Sequence, residues 1–249
     1  MAYDFTGKVC LLTGAASGIG RATALKMASL GALLALSDIN SPGLAETDSM
    51  AGGSHFTSVF DVGSSTACNS FVDSVISKFG RLDFVFNCAG VNPTAFALTE
   101  TTDEYYDKLM NTNLRGTYNM TRAVMPHLKA GAAVVNTSSI MGVTVAANYA
   151  IYCATKFAIV GFTKAMAMEL GGKQVRVNAV APGYINTPTN AGVVAGPAAV
   201  AEQEKKIAMG RMGTAGEVAD VVAFLFRFVT GRSMRWTQLL TSVVTRVDT

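Results

Sequence analysis

The chain has 249 residues, half of them hydrophobic and 15% charged, with a formal net charge of +3. That much apolar side chain can bury a sizeable core and excludes a disordered chain. The lack of any run of five or more basic residues excludes the usual nucleic-acid footprint, and the lack of an apolar run of about 18 residues excludes a membrane-spanning helix.

The N-terminus carries Asp4 before its first apolar run and has no basic region, so no signal peptide is expected and the chain reads as cytoplasmic. Cys10, Cys68, Cys88 and Cys153 form no Cys-x-x-Cys and read as buried thiols of a reducing compartment. His55 and His127 stand in no metal-ligand spacing, so no metal is expected.

Residues 8–13 form a short apolar run ended by Gly14, and residues 21–30 then show helical periodicity up to Gly31. Apolar runs follow at 32–37 and 55–60, with Asp61 after the latter, and an amphipathic helix is expected over 65–79. A fourth strand is expected at 82–86, before Asn87-Cys88-Ala89-Gly90. One long helix is expected over 103–129, with Pro126 near its end. A fifth strand at 132–138, a second long helix at 149–170 closed by Gly171-Gly172, and a sixth strand at 175–180 complete the order. Nearly all-apolar strands alternating with helices predict a doubly wound parallel sheet of the α/β class, Rossmann-like, with helices on both faces. No linker or repeat divides the chain, so a single domain is expected over 1–249. Residues 186–213, rich in Thr, Pro, Gly and Ala with a charged stretch at 202–206, read as a substrate lid beside the sheet's carboxyl edge.

Two stretches carry chemistry. Thr13-Gly14-Ala15-Ala16-Ser17-Gly18-Ile19-Gly20 follows the first strand and opens the first helix. Glycines allow a tight turn and close approach to a pyrophosphate, and the helix N-terminus offers free N–H groups. An ordinary turn fits the same glycines. Asp38 ends the second strand; its carboxylate suits an adenosine ribose and repels a 2′-phosphate, so NAD(H) is favoured over NADP(H). A turn or cap role also fits Asp38. Arg21 is the basic residue nearest the loop, and Asp61-Val62 is placed to meet the adenine. In the second stretch, Tyr152 and Lys156 are four residues apart and share a helix face. An ammonium beside a phenol lowers the phenol's pKa and makes it an acid/base, although a chance pair on a helix surface has the same spacing. The Ser138-Ser139 hydroxyls, at a strand end, can aim at the same point.

Together with Asn113 and Pro182-Gly183, these marks resemble the short-chain dehydrogenase/reductase family, over about residues 5–231. The resemblance implies hydride transfer between a nicotinamide cofactor and a small-molecule ketone or secondary alcohol, and assembly as a homodimer or homotetramer through the two long helices. It implies that Tyr152 exchanges a proton with the substrate oxygen and that Ser139 hydrogen-bonds that oxygen. Lys156 would tune Tyr152 and hold the nicotinamide ribose, and Asn113 would anchor a water relay to Lys156. It adds Asn87, Ala89, Gly90, Pro182, Gly183, Ile185 and Thr187 to the cofactor contacts. A nucleotide-binding scaffold, or a lyase or isomerase using the same tyrosine, is the alternative, and cofactor turnover with ketones separates the readings.

Val91, Asn92, Thr94, Ile140, Met141, Val145, Tyr149 and Tyr184 are expected to wall a mostly apolar pocket for a medium-sized neutral substrate. The chain departs from the family at Cys88, where the family has a second asparagine, and in the tail 232–249, which lacks the family's Val-Asp-Gly-Gly. Residues 233–237 can be written in codons that, read one base earlier, spell Tyr-Ala-Val-Asp, the start of the family's last strand. A shifted reading frame is therefore expected there, although degenerate codons also allow a coincidence, and the tail is expected to be partly displaced or differently folded at the sheet edge.

Overall fold

The computed structural model describes residues 3–92, 94–190, 196–227 and 241–242. The order is β1 (Val9–Thr13), α1 (Gly18–Ser29), β2 (Leu33–Asp38), α2 (Ser41–Met50), β3 (Phe56–Val59), α3 (Ser65–Phe79), β4 (Phe84–Asn87) and α4 (Asp103–Leu109). A π turn (Met110–Arg115) leads into α5 (Gly116–Val124), followed by β5 (Ala133–Thr137), α6 (Ala150–Gly171), β6 (Arg176–Ala181), β7 (Ile185–Asn186), α7 (Pro197–Glu204), β8 (Gly213–Thr214), α8 (Ala215–Phe226) and β9 (Thr241–Ser242). Seven strands pair in the order β3-β2-β1-β4-β5-β6-β9, all parallel.

The period of two along each strand divides the core between the two faces. Cys10 and Leu12 of β1 pack with Ala24 and Met27 of α1 and Val222 and Phe226 of α8. Val9 and Leu11 point the other way, to Val72 of α3, Met120 of α5 and Met166 of α6. Residues of β1, β4 and β5 are almost entirely buried, because helices cover both faces, whereas edge strand β3 alternates exposed and half-buried positions. The strand order reverses between β1 and β4, so the carboxyl ends of these parallel neighbours open a crevice.

Several expectations are corrected. Helix α2 was not expected: only Leu44 and Met50 are large apolar residues, and it buries only Gly43, Leu44 and Thr47. It is set instead by the Asn40 side chain, which accepts from Gly43 N, and by a proline in the first turn. The helix expected over 103–129 is broken by the π turn and ends at Val124, with Pro126 in the 3₁₀ turn Met125–His127. Helix α1 starts at Gly18, inside the glycine loop, and not at Arg21. The charged stretch at 202–206 begins within helix α7. The segment expected as a lid is pinned at both ends, because Ile185 and Asn186 pair with Gly213 and Thr214 as a two-stranded parallel sheet. Most of the tail, including the codon reading at 233–237, lies outside the described residues; Thr241 and Ser242 pair in parallel with Val180 and Ala181 at the sheet edge. Among the described residues no helix is long and apolar enough to cross a membrane, and no cluster of His, Cys, Asp or Glu could hold a metal ion.

Candidate active site

Helix α1 and the loop before it form one side of the cleft. Gly14 and Gly18 have φ of +69° and +53°, which side-chain-bearing residues rarely adopt. A Cβ on Gly20 would stand 1.9 Å from Gly14 O, and one on Gly14 would stand 2.8 Å from Ala89. The loop is therefore as closed as backbone allows. Ser17 at the N-cap of α1 is extended and its side chain makes no cap hydrogen bond. The first N–H groups of this helix thus lack the side-chain acceptor that Ser64, Thr102 and Thr214 supply to α3, α4 and α8. Thr13 opens the loop as read in the sequence, but the sequence alone assigns it no role of its own. Its hydroxyl accepts from the backbone N–H groups of Cys88 and Ala89 at 3.1 Å, which locks the end of β4 against the glycine loop.

Asp38, at the end of β2, is fixed from two sides. One oxygen accepts from Ala16 N and the other from Asn40 N, both at 2.9 Å. Arg21 is turned away: it pairs with Glu46 at 2.6 Å and donates to Thr47 Oγ1 and to the carbonyls of Ala16 and Gly43. Asp61 and Val62 line the same cleft, joined by Ile39 and Phe60, two apolar neighbours the sequence reading left out.

The reacting end lies where β4, β5 and β6 finish. Gly142 lets the 3₁₀ turn after β5 settle on α6, since a Cβ there would stand 2.3 Å from Ser138 Oγ and 2.8 Å from Lys156 O. Ser138 Oγ donates to that same carbonyl at 2.9 Å. Ser139 is thereby brought beside Tyr152, and its Oγ accepts from Met141 N at 3.1 Å. Ser139, Tyr152 and Lys156 are all buried and line one cleft with Gly14, Gly18, Asp38, Gly90, Pro182, Gly183, Ile185 and Thr187. Lys156 Nζ donates to Thr137 O at 3.0 Å and stands 5.6 Å from the centre of the Tyr152 ring.

Asn113, 1% exposed, sits in the π turn. Its Oδ1 accepts from Val91 N at 2.8 Å and its Nδ2 donates to Val91 O at 3.0 Å. A Cβ on Gly90 would stand 3.2 Å from Asn113 Oδ1 and 3.7 Å from Lys156 Nζ, so both groups close on the same bare backbone. Asn87 lies beneath the cleft: its Nδ2 donates to Thr121 Oγ1 and to Asn136 Oδ1, tying α5 to the sheet.

One electrostatic expectation is overturned. Burial pushes Tyr152 up to about 12 in the cofactor-free protein, with the Ser139 hydroxyl pulling the other way. Burial pushes Lys156 down to about 8. The expected lowering of Tyr152 by the ammonium loses here to the desolvation that affects both groups. Cys88 is raised to about 12, again mainly by burial, and is an inert thiol at neutral pH.

The cleft has a volume of about 440 Å³. Of the expected wall, Val91, Asn92, Ile140, Met141, Tyr149 and Tyr184 line it, with Asn190 from the lid segment added; Thr94 and Val145 do not.

Comparison with known proteins places this geometry. Residues 14–235 match the family described as enoyl-(acyl carrier protein) reductase. The chain is 38% identical over 226 residues to 3-oxoacyl-[acyl-carrier-protein] reductase of Thermotoga maritima, covering 88% of this chain and 90% of that protein. The structure superposes on levodione reductase with a TM-score of 0.86 and 34% identity, over 90% of this chain and 92% of the other. It superposes on NAD+-bound xylitol dehydrogenase with a TM-score of 0.84 and 32% identity, over 90% and 94%. The chain belongs to the short-chain dehydrogenase/reductase family and is a nicotinamide-dependent oxidoreductase of alcohols or ketones.

Proposed function

We propose that this protein interconverts a secondary alcohol and its ketone, using NAD(H) in preference to NADP(H), with Tyr152 as the proton donor and acceptor. The observation that carries the reading is the convergence of buried Ser139, Tyr152 and Lys156 with the glycine loop in one cleft. The residues fit a dinucleotide. Gly14, Gly18 and Gly20 leave a cradle that a Cβ would fill, Ser17 leaves the helix N–H groups to an anion, and Gly90 opens a bare face beside Lys156. Ala89, Pro182, Gly183, Ile185 and Thr187 shape the rest of that face, and Asn87 supports it from beneath.

A bound nicotinamide supplies or takes up the hydride. The chain's own groups handle the proton. In the direction of reduction, the Tyr152 hydroxyl gives its proton to the carbonyl oxygen while the Ser139 hydroxyl donates a hydrogen bond to it. With its pKa near 12, Tyr152 holds that proton at neutral pH. Lys156 holds a positive charge below about pH 8 and favours the phenolate left behind. Asn113, clamped to Val91, orders the groups behind Lys156 through which a proton returns.

Asp38 supports the NAD(H) preference. Its carboxylate is held by two backbone N–H groups where a 2′-phosphate would lie, and Arg21, next to the loop, is committed to Glu46. We also read the chain as one domain that works as a cytoplasmic homodimer or homotetramer, with 186–213 as a lid over the substrate. The exposed Tyr106, Tyr118, Phe157 and Met168 on α4, α5 and α6 support the helical contact. The test is cofactor turnover with a panel of ketones. Steady oxidation of NADH that depends on a ketone is the expected result, and cofactor binding without turnover on any ketone or alcohol would favour the scaffold reading.

A further inference from the structure

Beyond Ser139 and Tyr152 the cleft holds polar side chains that the proton chemistry does not use. Asn92 follows β4, and its Nδ2 donates across the cleft to Asn190 Oδ1. Asn190 is itself held, since its Nδ2 donates to Ile185 O at 2.7 Å at the base of the lid segment. Asn92 is thus fixed in place with its own Oδ1 still open to a partner among the described residues.

Tyr149 is presented by an unusual backbone. Asn148 before it has φ of 68°, a left-handed value that asparagine tolerates, and Asn148 O accepts from Phe96 N at 3.0 Å. That bond draws the loop after β4 to the start of α6. Tyr149 then lies nearly one helical turn ahead of Tyr152, on the same face. Its phenol is close enough to those of Tyr152, Tyr184 and Tyr105 that ionisation of Tyr149 would disfavour ionisation of each. Tyr105 is accounted for, since it donates to Thr94 O. The hydroxyls of Tyr149 and Tyr184 have no hydrogen-bond partner among the described residues, although both line the cleft and burial raises both phenols.

Such groups are solvated while the cleft is open. When a substrate fills it and water leaves, an all-hydrocarbon skeleton would strand the two hydroxyls and the amide oxygen without partners. A site with polar groups so placed selects a ligand that satisfies them. We propose that Asn92, Tyr149 and Tyr184 form a second oxygen-binding subsite in the cleft. The preferred substrate is then a ketone or secondary alcohol carrying a second hydroxyl or carbonyl a few bonds from the reacting one. The inference rests on the oxidoreductase reading above and narrows its substrate class.

The test compares substrates of one skeleton: cyclohexanone, a hydroxycyclohexanone and a cyclohexanedione. Each is assayed with NADH and with NADPH on the wild type and on Tyr149→Phe, Tyr184→Phe and Asn92→Ala. Wild-type kcat/KM is expected to favour the dioxygenated substrates by about tenfold or more, chiefly through KM, as the gain of one or two neutral hydrogen bonds requires. That ratio should shrink toward one in the variants, whatever happens to their absolute turnover. Wild-type turnover of cyclohexanone equal to that of its oxygenated partners would overturn the subsite and leave the oxidoreductase reading standing. So would a preference that all three variants retain. Binding of the cofactor with no turnover of any ketone would overturn that reading, and the subsite with it.

Discussion

Replacing Lys156 by methionine should make the cofactor-free protein more stable while abolishing most of its activity. Lys156 is 5% exposed and has no carboxylate partner among the described residues; its one hydrogen bond runs to Thr137 O. Burial lowers its pKa from 10.5 to about 8, which corresponds to on the order of 3 kcal/mol of disfavoured charge at neutral pH. Methionine keeps an unbranched apolar stem and removes the charge, but it leaves Thr137 O without its donor, at about 1–2 kcal/mol. The net gain is then about 1–2 kcal/mol, or roughly 2–8 °C in Tm for a chain of this size.

The sign with pH follows from which state holds the proton. Between about 8 and 10.5 the unfolded chain keeps the lysine proton and the folded one releases it, so the wild type gains stability as pH rises through that window. The advantage of the variant should be full below about pH 8 and shrink toward pH 10.5. Thermal melts of both proteins without cofactor, over that range, measure the difference, and groups common to both cancel. A Lys156→Met protein that is no more stable than wild type at neutral pH, with a difference that does not change with pH, would refute the reasoning.

Two further outcomes follow from the cofactor side. Wild-type protein should bind NAD(H) about ten- to a hundredfold more tightly than NADP(H), the effect of about 1–3 kcal/mol of like-charge conflict in a partly screened site, and Asp38→Asn should lose most of that preference in a fluorescence titration. Equal affinities in the wild type would show that a cation other than Arg21 reaches the 2′-phosphate. Gly20→Ala places a Cβ at 1.9 Å from Gly14 O and should weaken binding of either cofactor by about ten- to a hundredfold, as overpacking of about 1–3 kcal/mol implies. Gly216→Ala, on an exposed position of α8 with nothing nearer than 3.9 Å to the added Cβ, is the control and should raise stability by about 0.5 kcal/mol. Titration and thermal melts of the two variants side by side separate the cases.

What was legible in the sequence was local. The parallel strands are apolar on both faces, so β1, β4, β5 and β6 stood out as runs, and the spacing of Tyr152 and Lys156 placed both on one face of α6. The glycine loop and Asp38 were readable for the same reason, each lying at the carboxyl end of a strand. What escaped depends on the fold. Helix α2 has too few large apolar residues to show a stripe. The break at Met110–Arg115 is silent because an apolar pattern runs on through it, while the π geometry sets Asn113 against Val91. The rise of Tyr152 and fall of Lys156 are burial effects, a property of the packed cleft that a four-residue spacing does not contain. Asn92 and Asn190 are 98 residues apart, and their contact exists because β4 and β7 end at the same opening.

The central claim is that Tyr152 moves the proton while other groups hold the cofactor. Its most direct test is the turnover of Tyr152→Phe with NADH and a ketone that the wild type reduces, measured beside the cofactor affinity of the same preparation. Loss of general acid catalysis predicts a fall in kcat of about 10²–10⁴-fold with cofactor binding retained. Turnover within a few fold of the wild type, by a folded variant that still binds NADH, would contradict it.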